Sequence, residues 1–453
     1  MKKIIITLYF SLSILASKAQ GDITLFSMGE LFQSSYLNPA TFSTYDLSIG
    51  IPGFSNAVAV QLNGFNLGNI NKNVSDGYFN ISNFYNDVNA NTVGVKMYSQ
   101  SDLFHIRKQF GRYQIGFHSS VRTNSETVLS KNFIGFLAQG NLQYAGQDIN
   151  FNATNIQSTS YIETGISVAR EFERFTVGGR IKMLNGLANL STSNLDVRYN
   201  TGANSYDATT VTLGGRINSS GLPNFQDLSL QDSLLLHKII DTLTNQNNIK
   251  PFDNLGWSID LGATYHVSPR LKISASAIDI GFINWKNKTF NYDLNNINIV
   301  FPGFNFLQAK DSTIRQQYLD SLQNLITSTT GKNSYTTALP SRFMIGADYD
   351  LTLRDRIGLL FQMQYFINTF FPSYSFSYTR KVGTNWRITT NYSYYNSSYS
   401  NIGLGTSIKW GAFQIYAMQD DILLYFIPSN TRTVYLRFGC NLVWGEHRTR
   451  PRY

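Results

Sequence analysis

Residues 342–351 read RFMIGADYDL, and their side chains sort by parity. Phe343, Ile345, Ala347, Tyr349 and Leu351 fall on one side; Arg342, Met344, Gly346, Asp348 and Asp350 fall on the other. A period of two is that of an extended strand whose faces meet different surroundings. The last strand repeats it, with Val434, Leu436, Phe438, Cys440, Leu442 and Trp444 alternating with Tyr435, Arg437, Gly439, Asn441, Val443 and Gly445. Trp257, Ile259, Leu261, Ala263, Tyr265 and Val267 likewise alternate with Ser258, Asp260, Gly262, Thr264 and His266. Such runs are about 10 residues long, enough for a tilted strand to cross hydrocarbon, whereas soluble strands average about 5–6.

Composition agrees. Hydrophobic residues make up 42% of the chain but charged ones only 14%, where soluble domains carry about 25%. A barrel in lipid needs little surface charge, because its outer band faces acyl chains. No run of 18 or more apolar residues occurs to make a membrane helix. The alternative fold, a soluble secreted β-sandwich, leaves both the strand length and the low charge unexplained.

The first residues specify an address. Lys2 and Lys3 precede the apolar run at 4–16, and Ser17 and Ala19 supply small residues for a signal peptidase. The expected division is therefore a signal peptide at 1–19 cleaved after Ala19, a plug-like segment at 20–45 and an outer-membrane barrel at 46–453. The lone Cys440 excludes an internal disulfide. Part of the net charge of +9 sits in a basic tail, Arg448, Arg450 and Arg452, which suits lipid headgroups. Nucleic acid is not an expected partner outside the cytoplasm.

Connections come in two lengths. Short turns fall at 110–112, 171–174, 268–270, 352–356 and 382–384, and long connections at 122–160, 216–254, 284–339 and 420–431. Every short turn can be placed at one end and every long loop at the other, as in outer-membrane barrels with tight periplasmic turns. The count is fourteen strands or sixteen, with fourteen preferred; the doubtful hairpin is 190–199 with 206–213. The apolar phase of 271–283 slips near Ala277 and Ile278, the mark of a bulge. Two extracellular loops, at 228–243 and 311–329, carry helix-period apolar faces.

The sequence shows few groups arranged for chemistry. The five histidines show no zinc-ligand spacing, and HExxH, CxxC and GxSxG are absent. No nucleophile stands beside a base, so no enzyme activity, cofactor or metal is expected. The charges inside strands are more telling, since a charge facing lipid costs about 2–4 kcal/mol near the midplane. Asp260, Asp348, Asp350, Arg180, Lys182, Arg342, Arg387 and Arg437 should all face the lumen, either bracing it or lining a solute path. A lumen of about 14 strands needs filling or plugging, and residues 22–44 are the candidate plug.

Several blocks carry a resemblance: 33–42 (QSSYLNPATF), 47–52 (LSIGIP), 339–349 (LPSRFMIGADY), 373–378 (SYSFSY), 401–405 (NIGLG), 414–421 (QIYAMQDD) and 438–445 (FGCNLVWG). In this order they resemble an uncharacterised family of Bacteroidota outer-membrane barrels, domain of unknown function 5723. The chain departs from the pattern at Asp421, where Asn is expected, and at Cys440, where an aliphatic residue is expected. The family is similar in plan to the outer-membrane long-chain fatty-acid transporters. That resemblance implies an N-terminal plug and passage of hydrophobic compounds, and it defines no functional residues.

The expectation is an all-β, porin-like transmembrane barrel, in contact with outer-membrane lipid, that takes up a hydrophobic or small amphipathic compound. It predicts an apolar pocket near the plug. The alternative is a structural or docking component of a surface secretion or assembly complex, with a filled lumen and a protein partner at the extracellular loops.

Overall fold

The computed structural model describes residues 22–75, 77–140, 144–201, 209–223, 252–294, 297–301, 330–366, 369–395 and 398–446. The expected signal peptide, the helix-patterned stretches at 228–243 and 311–329 and the basic tail lie outside these residues.

Fourteen antiparallel wall strands follow one another around a closed ring. The first comes in two pieces, Tyr45–Gly50 and Asn56–Asn63. Then come Thr92–Phe110, Tyr113–Ser130, Asn155–Glu171, Phe175–Thr201, Leu255–His266, Leu271–Trp285 and Ser341–Asp350. Asp355–Phe366, Thr369–Val382, Trp386–Tyr395, Ser398–Trp410, Phe413–Gln419 and Thr433–Glu446 complete it. Both pieces of the first strand pair with the last, through Leu47 with Trp444 and Val58 with Leu436, so the ring has no free edge.

Parity decides which way each side chain points. Along Ser341–Asp350, Arg342, Met344, Gly346 and Asp348 are buried, while Phe343, Ile345 and Tyr349 are exposed. The partition is the reverse of a soluble protein's. Charges lie inside, whereas Ile181, Leu261, Ile345 and Leu359 stand outside at 56–62% exposure. Exposed aromatics such as Phe110, Tyr113, Phe175, Trp386 and Trp410 flank the tight turns, as in the interfacial girdles of membrane barrels. The ring is built to stand in lipid.

Several boundaries differ from expectation. The strands Thr92–Phe110, Tyr113–Ser130 and Asn155–Glu171 run 19, 18 and 17 residues, so much of the long connection expected at 122–160 is strand. The strand Phe175–Thr201 reaches 27 residues. Its first part pairs with Leu255–His266 in the wall, and its continuation pairs with Thr209–Ser220. The doubtful hairpin thus rises above the ring, and the count stays at fourteen. Not every tight hairpin lies at one end. Phe366 pairs with Thr369 and Tyr395 with Ser398, closing two short hairpins at the loop end. The slip near Ile278 is a bulge: the register jumps from Ile259–Ile280 to Leu261–Ala277.

Residues 22–44 lie inside the ring. They contain a short helix, Ile23–Phe26, and a 3-10 turn, Phe32–Tyr36. Ile23, Leu25, Met28, Leu31 and Leu37 pack on inward-facing wall residues that include Ala57, Ala59, Met344, Leu360 and Met418.

Candidate functional site

Because alternate residues of fourteen strands converge on one axis, the interior is where polar groups from distant parts of the chain meet. The densest meeting lies around Asp279. The bulge gives Asp279 a left-handed backbone, φ 59°, and turns its carboxylate inward. Its Oδ1 accepts from Arg122 at 3.2 Å and from Lys182, and its Oδ2 from Arg342 at 3.3 Å. Lys182 also meets Asp260 at 2.7 Å, Arg180 meets Asp260 at 3.2 Å, and Arg122 meets Glu163 at 3.1 Å. Glu163 accepts a further contact from His118 Nε2 at 2.8 Å. Every member is buried, so each charge rests on its partners rather than on water.

The N-terminal segment joins this network. Asp22 Oδ1 accepts from Arg437 Nη2 at 2.9 Å and from the Tyr435 hydroxyl; its Oδ2 accepts from Arg342 at 3.2 Å. Arg180 donates to the Ser35 carbonyl at 2.9 Å. Asp420, just past the strand Phe413–Gln419, takes the backbone N–H groups of Ile23 and Thr24 at 3.3 and 3.0 Å. Burial pushes the Asp420 carboxyl up to about 6, against the downward pull of the Thr24 bonds. Two glycines let the segment approach the wall. A Cβ at Gly178 would lie 2.4 Å from the Pro39 carbonyl oxygen, and one at Gly262 would collide with the Asn38 side chain.

Of the eight charged residues expected in the lumen, Asp260, Arg180, Lys182, Arg342 and Arg437 come together here. The other three lie elsewhere. Asp348 pairs with Lys272 at 2.8 Å, half-exposed Asp350 pairs with Arg356 at 2.6 Å, and Arg387 pairs with Glu30 of the N-terminal segment at 3.0 Å. Parity alone missed Asp22, Glu30, Arg122, Glu163 and Asp279. Arg122 was within reach, since Gln114, Gly116, His118 and Ser120 share its parity; Asp279 was hidden by the bulge.

Chemically, the interior holds its charges in ion pairs. Among the described residues no group of three or more His, Cys, Asp or Glu side chains is placed to hold a metal ion. A pocket of about 10 Å³ lies among Asp22, Tyr98, Arg122, Tyr161, Asp279 and Arg342, room for about one water. The apolar recess bordered by Phe343, Met363, Tyr365 and Phe370 is on the lipid side instead.

Similar rings occur among solved structures. The Ralstonia pickettii toluene transporter TbuX superposes with a TM-score of 0.43 at 10% identity, covering 92% of this chain and 94% of its own. A Pseudomonas aeruginosa FadL homologue gives 0.44 at 8%, covering 95% and 100%, and the Pseudomonas putida toluene transporter TodX 0.40 at 9%, covering 94% and 93%. At these values the likeness carries no conclusion about cargo. No curated protein matches the chain. The model of the Family of unknown function (DUF5723) matches residues 39–420, and the chain belongs to that family.

Proposed function

We propose that this protein is an outer-membrane barrel whose lumen is closed by residues 22–44 and admits a hydrophobic or small amphipathic compound when that segment moves aside. One observation carries the proposal. The inner wall carries apolar residues on opposite sides of the ring, Ala57, Ala59 and Met418 on one and Met344 and Leu360 on the other, and Ile23, Leu25, Met28 and Leu31 of the segment pack between them. The expected apolar pocket is therefore a seat already filled by the chain's own side chains. A compound of matching character could take their place.

A disulfide lock tests this. The Ser27 and Ser377 hydroxyls are 2.8 Å apart, so Ser27→Cys and Ser377→Cys, in a Cys440→Ser background, should cross-link segment to wall. Entry of the fluorescent apolar probe N-phenylnaphthylamine into expressing cells should fall to the empty-vector level on oxidation and return on reduction. Equal entry in both states removes the segment from the path.

A second reading, a docking component of a surface complex, has its own support. Besides the small pocket near Asp22, the loop end carries Tyr78, Tyr425 and Phe426 at 71–81% exposure. No probe entry above vector in any state favours this reading.

A further inference from the structure

Five buried cations of the central network each have a carboxylate against them. Arg122, Arg180, Lys182, Arg342 and Arg437 stand against Asp22, Glu163, Asp260 and Asp279 through direct ion pairs. Asp102 joins them through Gln100, which donates to it at 3.0 Å and accepts from Arg437 at 3.4 Å. Arg107 stands apart from this network. Its side chain is 2% exposed, and none of its Nε, Nη1 and Nη2 atoms has an acceptor among the described residues. The acid five residues earlier, Asp102, is engaged by His105 at 3.6 Å as well as by Gln100.

Among the described residues no carboxylate pairs with Arg107. Its guanidinium carbon lies 5.2 Å from the centre of the Phe32 ring, which closes over it from the N-terminal segment. Its cross-strand partners are small on both sides, Ser48 on one and Gly116 on the other. The Ser48 hydroxyl is itself buried with no partner among the described residues. An isolated buried cation is costly, and proteins normally balance one with a charge of opposite sign.

We propose that Arg107 and Ser48 form a binding site for one small monovalent anion, of halide or formate size, held between the wall and Phe32. The single unpartnered guanidinium sets the valence. The Phe32 ring, 5.2 Å from the guanidinium carbon, leaves room only for a small ion against it. Guanidinium N–H and serine O–H groups all donate, as an anion requires.

The test uses the full mature chain refolded in detergent. Crystals soaked in sodium bromide should show an anomalous peak against the Arg107 guanidinium. In solution, replacing gluconate by bromide at constant ionic strength should raise the unfolding midpoint saturably. At ten times the dissociation constant the folded-to-unfolded ratio should gain about elevenfold. Arg107→Gln should lose that response. Ser48→Asp, which places a carboxylate opposite the guanidinium, should raise the midpoint and abolish the response in the same step. If Arg107→Gln does not fold, Ser48→Asp and the parent's bromide peak decide. Bromide found only elsewhere, a variant that titrates like the parent, or a Ser48→Asp chain still dependent on bromide overturns the site.

Discussion

Asp22→Asn should release the N-terminal segment while leaving the ring intact. Asp22 has a left-handed backbone, φ 74°, which Asn tolerates well, so the substitution tests charge without adding strain. It removes the only carboxylate in direct ion pairing with Arg437 among the described residues, while Arg342 keeps Asp279 at 3.3 Å. Breaking a buried pair costs about 3–5 kcal/mol. The low end applies, because Arg342 retains a partner and the Asn oxygen still accepts one bond. About 3 kcal/mol is roughly a 150-fold rise in the open population. Amide hydrogen exchange reads this directly, since the N–H groups of Phe26, Met28 and Leu31 bond within the segment and exchange through its local opening. Exchange across residues 23–31 should quicken by the same factor, roughly 150-fold, with the amides of Thr433–Glu446 unchanged. Adding Arg437→Met should recover at least part of the loss, since no unpaired charge then remains. Equal acceleration in segment and wall would show that Asp22 braces the barrel as a whole; no acceleration would show that charge does not hold the segment. Either result refutes the reasoning.

Three further outcomes follow from the geometry. Gly178→Ala puts a Cβ 2.4 Å from the Pro39 carbonyl oxygen, a backbone atom that cannot swing away; overpacking of about 1–3 kcal/mol should raise protease cleavage near residues 38–40 without changing heat-modifiable gel migration. Ile345→Arg, on the outer face at 62% exposure, should lower the urea midpoint of the barrel in lipid by the equivalent of about 2–4 kcal/mol, whereas Leu353→Arg in the adjoining turn should not. Asp420, raised by burial to about 6, disfavours its charged form when folded. Its contribution to seating is therefore present at acid pH and lost as pH rises through about 6. Segment exchange corrected for intrinsic rate should be slower at pH 5 than at pH 8, and Asp420→Asn should flatten that difference.

The wall was legible because lipid and lumen impose opposite demands on successive residues, and ten-residue runs such as 342–351 record both. Legibility failed where that contrast ends. Above the expected crossing, Thr123, Asn124, Ser125 and Glu126 are polar on both parities, so the strand to Ser130 looked like a loop. At Asp279 the bulge shifted parity by one and hid the carboxylate at the centre of the ion network. The seat of the segment left no local trace either. Asp22 and Arg437 are 415 positions apart, and nothing near either residue announces the other. Lumen-facing charge could be inferred residue by residue, but which charges meet depends on ring closure and tilt.

The two kinds of contact under the segment have different consequences. Ile23, Leu25, Met28, Leu31 and Leu37 are all buried on it. At about 1.5–3 kcal/mol for each large side chain, burial exceeds what the Asp22 pairs contribute after desolvation. Apolar burial therefore supplies most of the holding energy, and the ion pairs fix where the segment sits. A compound that took the segment's place between these apolar wall residues would replace the burial it displaced, so those terms would nearly cancel in the exchange. The ion pairs have no counterpart in an apolar cargo, and the few kcal/mol they hold would set the threshold for opening. Weakening them by Asp22→Asn should then raise probe entry at a given probe concentration, while removing one apolar wall contact by Met344→Ala should weaken the seat and the cargo together and leave that threshold largely where it was.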